Sequence, residues 1–196
     1  MRTLSMMRRL SDVRRGFLPA FGVLATAVLL MGADEAKQTV DAKGLTFEAP
    51  KSWKSSTPSG AMRRAQLKVE PIEGDDYPAE LIVFAIEGGG GTVEANLTRW
   101  QKTFKDEDGN PPKIESKKVQ AKNVEVTRAE TSGHYYPTAF PGAPKQPDRP
   151  GARLLGVIVT GKKTNYYIRM VGPDKTMKKL TPDFDDMVKT MKLEEE

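Results

Sequence analysis

The stretch ARLLGVIVTGKKTNYYIRMVG, residues 152–172, constrains the fold more than any other part of the chain. Two apolar runs of strand length, rich in β-branched and aromatic residues, flank a polar centre, so the segment predicts a hairpin turning near Gly161. Other segments supply strands to pair with it. ELIVFAIE (80–87) is a continuous apolar run that predicts a central strand covered on both faces. MRRAQLKVE (62–70) places Ala65, Leu67 and Val69 on one face, the period-2 pattern of a half-buried strand. LTFEAP (45–50) alternates and stops at Pro50. Two more strands are expected over 113–119 and 124–131.

The apolar period changes to that of a helix in two places. Val93, Leu97, Trp100 and Phe104 form one stripe, predicting a helix from Val93 to about Lys105 with Thr92 as its N-cap. DEDGNPP (106–112) then turns the chain. A last helix is expected to start with Thr181 as cap and Pro182 at its first position, presenting Phe184, Met187, Val188 and Met191 on one face. The fold class is α+β: a mostly antiparallel β-sheet flanked by helices. The expected organisation is a leader over 1–33, a short linker over 34–39, one domain over 40–193 and an acidic tail over 194–196, read as a frayed terminus.

The leader has the order of an export signal. Five arginines (Arg2, Arg8, Arg9, Arg14, Arg15) precede an uncharged run from Gly16 to Ala33 that ends in small residues. Cleavage after Ala33 is favoured over retention as an anchor, because Pro19 and Gly22 weaken a run already at the lower edge of membrane-spanning length. Any membrane association would come through an uncleaved leader. Arg14, Arg15, Phe17 and Leu18 resemble the twin-arginine export signal, while Val13 and Pro19 depart from it. The protein is therefore expected in the bacterial periplasm or cell envelope.

Charge and cysteine content remove several classes of function. The chain carries 31 Lys+Arg against 26 Asp+Glu, but the leader holds five of those arginines and one acid, Asp12, leaving 26 basic and 25 acidic residues. That balance gives no support for nucleic-acid binding, and the doublets Arg63-Arg64, Lys117-Lys118, Lys162-Lys163 and Lys178-Lys179 read as solvated faces. With no cysteine there is no disulfide, thiolate zinc site, iron–sulfur cluster, lipid anchor or cysteine nucleophile.

The segment GLTFEAPKSWK (44–54) resembles the opening of the PsbP-like fold: an aromatic in a short strand, then proline, then tryptophan. Ser52 stands where a glycine before that tryptophan is common. Phe184-x-x-Met187 on a C-terminal helix is similar to the way such domains close. The resemblance covers about residues 40–193. It implies an antiparallel sheet sandwiched between helices, and mostly non-enzymatic binding or assembly roles, with no functional residues carried over.

Gly88–Gly91 follow a strand and precede a helix, yet no lysine follows them and the spacing fits neither a P-loop nor a dinucleotide fingerprint. Glu94 would place a like charge beside any phosphate there, so the glycines read as a connector. His134 is the single histidine, and no nucleophile elbow surrounds Ser132 or Ser116, so it reads as structural. DEDGNPPKIESK (106–117) begins like a calcium loop but has Pro111 and Lys117 where glycine and glutamate are needed. Asp183, Asp185 and Asp186 read as dipole partners of a helix N-terminus. No catalytic residue, metal ligand or cofactor site is expected.

One segment remains. HYYPTAFPGAPKQPDRPGA (134–152) carries five prolines between Pro137 and Pro150, and reads as a long connection rather than a central strand or helix. Its aromatics either cover a sheet edge or form a partner surface made of His134, Tyr135, Tyr136 and Phe140. The function expected from the sequence is an exported, non-enzymatic binding or accessory module acting through a protein partner in the envelope. The alternative is an exported enzyme or small-molecule binder with a cleft between sheet and helices or under the proline segment.

Overall fold

A computed structural model describes residues 36–58, 60, 62–137 and 146–194. The leader, including Arg14, Arg15, Phe17 and Leu18, lies outside the described residues, as does Phe140. The described part belongs to one compact unit, Asp34–Glu196. Its strands are β1 (Lys37–Asp41), β2 (Leu45–Pro50), β3 (Lys54–Ser55), β4 (Arg63–Val69) and β5 (Ala79–Glu87). After α1 (Val93–Gln101) come β6 (Phe104–Lys105), β7 (Glu115–Gln120), β8 (Glu125–Tyr135), β9 (Arg149–Thr160) and β10 (Thr164–Pro173). The chain closes with α2 (Asp174–Lys189) and β11 (Lys192–Leu193). β1 begins inside the stretch read as a linker. At the other end Glu194 is tied by its backbone N–H to the carbonyl of Gly44, 2.9 Å away.

The large sheet is antiparallel throughout, in the order β3-β4-β5-β10-β9-β8-β6, with β7 also paired to β8. β9 and β10 are the predicted hairpin, with Thr160 opposite Asn165 and the Gly161 N–H bonded to the Thr164 carbonyl. A second sheet, β1-β2-β11, packs with α2 on one face of the large sheet. Trp53, Phe47, Leu81, Met170 and Phe184 are fully buried in that core. On the opposite face α1 brings Trp100 down onto a smaller cluster with Phe104, Tyr135, Leu154 and Ile158.

Two elements differ from expectation. α1 stops at Gln101, and Phe104 at the end of the apolar stripe is instead a residue of β6 paired with Tyr135. Thr92 is its N-cap, accepting from the Ala95 N–H at 3.1 Å. α2 starts at Asp174, seven residues before the predicted cap, so Pro182 sits inside the helix. The cap is not local in sequence. Asp75 accepts hydrogen bonds from the Thr176 N–H, at 2.9 Å, and from the Thr176 hydroxyl, satisfying a first-turn donor from a loop far away in sequence. Asp183, Asp185 and Asp186 consequently lie in the C-terminal half of the helix, where the dipole does not favour them. Asp185 instead pairs with Arg128 and Asp186 with Lys189.

The ends of the proline-rich segment are strand: Tyr135 pairs with Arg149, and Gly133 with Ala152, on β8 and β9. Residues 138–145 between them lie outside the described residues.

Candidate functional site

Residues of β5 alternate between the two faces of the sheet. Leu81, Val83 and Ala85 enter the core beneath α2, while Ile82, Phe84 and Ile86 point to the α1 side. The sequence predicts that this second face is covered, and the described residues cover it only in part. α1 has nine residues, about 13 Å at 1.5 Å per residue, against about 30 Å for the nine residues of β5. The helix also packs off to one side, with the Trp100 ring seated on Gly156 of β9. A cleft of about 380 Å³ is left over β4, β5 and β10. Ligand pockets commonly span about 300–1,000 Å³.

Apolar groups make its floor: Ile82, Phe84 and Ile86 from β5, Tyr167 and Val171 from β10, with Trp100 as a wall. Four arginines stand around them. Arg169 is opposite Ile82 in the β5–β10 register and so shares a face with Tyr167 and Val171. Arg63 is brought opposite Phe84 by a bulge between Arg63 and Ala65. Arg99 comes from α1 and Arg149 from the start of β9. Glu80 is the single carboxylate in the lining, and it accepts a 2.6 Å hydrogen bond from Gln66 Nε2.

Three of the four guanidinium groups lie on aromatic rings. Those of Arg169 and Arg63 are 5.3 and 5.8 Å from the centroid of Phe84, and that of Arg149 is 5.3 Å from the centroid of Tyr77. Burial pushes the Tyr77 hydroxyl above its ordinary pKa against the opposing pull of Arg149, with Asp75 adding to the rise. Arg99 Nη1 donates to Asn96 Oδ1 at 2.6 Å. Among the described residues, Arg99, Arg149 and Arg169 form no ion pair with a carboxylate.

The other face of the sheet treats its arginines differently. Arg128, 5% exposed, pairs with Glu130 and with Asp185 at 3.1 Å. Arg153 pairs with Glu130 at 3.5 Å and Asp174 at 2.8 Å, and Asp174 also holds Lys178 at 2.8 Å. Every cation in that group faces an acid, which ties α2 to β8 and β9.

Gly88–Gly91 are bonded to two residues of the cleft lining, Tyr167 and Asn96. All four have positive φ, the conformation that glycine alone adopts freely. The Tyr167 hydroxyl donates to the carbonyls of Gly89 and Gly91, and Asn96 Nδ2 donates to those of Gly90 and Thr92. The loop therefore offers carbonyls to the side chains beneath it, the opposite polarity to an anion cradle of converging N–H groups.

Three members of the predicted partner surface are described, and they do not form one surface. Tyr135 is buried, its ring 4.9 Å from that of Phe104, and lines the cleft. His134 and Tyr136 stack on each other at 4.4 Å in a separate hollow shared with Ser132 and Asp106. Tyr136 is 41% exposed. The His134 Nε2 is buried with no hydrogen-bond partner among the described residues, and no bond joins it to Ser132. Asp106, first residue of the failed calcium motif, spends its carboxylate on the N–H groups of Asp108 and Asn110, as a turn does. Among the described residues no group of three or more metal-ligating side chains occurs, and no helix is long and apolar enough to cross a membrane.

The cleft arginines were not singled out in the sequence. The Arg63-Arg64 doublet reads in the sequence as a solvated face. A signal did exist in Arg169, a charge in the middle of an apolar hairpin strand on the same face as Tyr167 and Val171.

No protein-family model matches the chain, and no curated protein matches it in sequence. Among solved structures, cyanobacterial PsbP (CyanoP) from Synechocystis sp. PCC 6803 is similar over 81% of this chain and 93% of its own, with a TM-score of 0.51 and 15% identity. LpqN of Mycobacterium tuberculosis, described as involved in cell envelope biogenesis, aligns over 82% of this chain and 91% of its own, with a TM-score of 0.47 and 10% identity. A Pseudomonas aeruginosa protein of unknown function, PA94, aligns over 82% of this chain and 99% of its own, with a TM-score of 0.47 and 9% identity. The fold is PsbP-like: an α+β sandwich of antiparallel sheet between helices.

Proposed function

We propose that the chain is an exported, non-enzymatic binding module of the cell envelope, and that its working surface is the arginine-rimmed cleft between the large sheet and α1. The observation that supports this reading is the uncovered face of β5. On this half-open face the half-buried Phe84 and Ile86 keep apolar surface in contact with water, at a cost of roughly 25 cal/mol per Å². A bound ligand recovers that area.

Binding is favoured over catalysis by the kind of ionisable group present. Arginine holds its proton under all physiological conditions and serves neither as acid nor as base. Glu80, the one carboxylate, is tied to Gln66. The export part of the reading is supported by the basic head and apolar run of residues 1–33.

The test is titration of the full-length protein with N-phenyl-1-naphthylamine, a neutral dye that fluoresces in apolar sites. Saturable binding is expected, weakened at least tenfold by Phe84→Ser. A second variant, Met62→Glu at a rim position that is 51% exposed, leaves the core intact and should weaken it too. Dye binding unchanged in both variants would place the site elsewhere and overturn the reading.

A further inference from the structure

Resting on that reading of the cleft, the charge distribution around it points to a ligand class. We infer that the cleft takes a single-chain anionic amphiphile: a hydrocarbon chain on Ile82, Phe84, Ile86 and Trp100, and one carboxylate or phosphate head at Arg169 and Arg63.

Three observations carry this. The first is the contrast between the two faces of one sheet. Arg128 and Arg153 beneath α2 are neutralised by Glu130, Asp174 and Asp185, whereas Arg99, Arg149 and Arg169 form no ion pair among the described residues, Glu80 being the one carboxylate in their cleft. In a cleft with low-dielectric walls such charges raise the local concentration of anions. The second is the pair of guanidinium groups on one ring. Arg63 and Arg169 both lie within 6 Å of the Phe84 centroid, so an anion held over that ring meets two guanidinium groups at once. Each guanidinium can offer an anion bidentate hydrogen bonds. The third is the position of Glu80. It lies on β5 one alternate residue beyond Ile82, so an extended polyanion would run into a carboxylate, and a single head is favoured.

A free inorganic anion leaves the apolar floor unexplained, and a neutral hydrocarbon leaves the arginines unexplained. The amphiphile uses both.

The experiment is displacement of N-phenyl-1-naphthylamine from the full-length protein by dodecanoate, dodecyl phosphate and dodecyltrimethylammonium, each below its micelle concentration, and by inorganic phosphate and a glutamate-rich peptide. Direct calorimetric titration with dodecanoate runs alongside. The two anionic chains should displace the dye at concentrations at least tenfold lower than the cation. Arg169→Gln and Arg63→Gln should each reduce that advantage about fivefold, measured against each variant's own affinity for the neutral dye. Those variants also separate cleft binding from any uptake by the apolar leader, which they do not alter. Whichever anionic chain ranks first identifies the head, carboxylate or phosphate. If anionic and cationic chains displace the dye equally, the charge assignment is overturned and the cleft stands as an apolar site. Inorganic phosphate binding as tightly as dodecyl phosphate would overturn the amphiphile in favour of a simple anion site. A glutamate-rich peptide displacing the dye better than either chain would overturn it in favour of a protein partner. If neither dye nor dodecanoate binds, the cleft reading fails with it.

Discussion

At the scale of the residue, the shape of the cleft depends on Gly156. It lies on β9 beneath α1, and a Cβ built there would overlap the six-membered ring of Trp100. The absence of a side chain at that point lets the indole lie flat on the sheet and act as one wall of the cleft. Gly156→Ala should therefore lift Trp100, at about 1–3 kcal/mol for inserting a methyl into a packed site. For a domain of this size that is a fall in Tm of about 2–4 °C per kcal/mol. Trp53 is fully buried on the other face, so any red shift in tryptophan emission reports Trp100. A variant with unchanged Tm and emission would mean that the ring has free space to move into. The stripe that includes Trp100 was legible from its helical spacing. The glycine beneath it was not, because it sits within an apolar run where nothing local distinguishes a packing glycine from a turn. His134 and Tyr135 make the same point: they are neighbours in sequence, and a strand sends them to opposite sides, one to the hollow with Tyr136 and one to the cleft.

At the scale of the element, α2 departs furthest from its sequence pattern. The Thr181-Pro182 pair has the form of a helix start, yet the helix runs through it from Asp174. Proline in a helix interior removes one backbone bond and crowds the preceding turn, at about 3 kcal/mol relative to alanine. Tertiary contacts outweigh this. Met177 lies before the proline and Phe184, Met187 and Val188 after it, all buried in one core, so both halves of the helix are held in line. The Thr181 hydroxyl bonds the Met177 carbonyl at 2.9 Å. Pro182→Ala should consequently stabilise the domain by about 1–3 kcal/mol, with a rise in Tm of about 2–4 °C per kcal/mol. A fall in Tm would show instead that the ring makes contacts worth more than the bond it prevents. The true start of α2 was illegible for a reason that lies outside the element: its cap, Asp75, comes from the loop before β5. β10 runs directly into the helix at Pro173, with no local capping side chain to mark the change.

At the scale of the whole molecule, one sheet presents two faces of different electrostatic character. The strands and the hairpin were legible because alternation survives in the sequence whatever the strand order. Pairing order, and therefore which arginines meet, is a long-range property. A nearly balanced charge count in residues 34–196 conceals a compensated network on one face and, on the other, a cleft lined by four arginines and one glutamate. The compensated face has a consequence for acid stability. Burial tends to raise the pKa of Asp174, but hydrogen bonds and charge from Lys178 and Arg153 outweigh it and hold the carboxyl below its ordinary value. The folded chain thus binds that proton more weakly than the unfolded chain does. The resulting stabilisation is fully present above the ordinary carboxylate range near pH ~4, and it is lost as pH falls through the lower folded-state value. Asp174→Asn removes it. Denaturation midpoints of the two proteins should therefore differ at neutral pH, the variant being the weaker, and converge as the pH is lowered. Because Asp174 meets Arg153 at the start of α2, the same ion pair fixes where the helix docks on β9. A gap between the two proteins that stays constant from neutral to acid pH would assign the residue's role to packing or polarity, and the charge of the network would then contribute little to holding α2 in place.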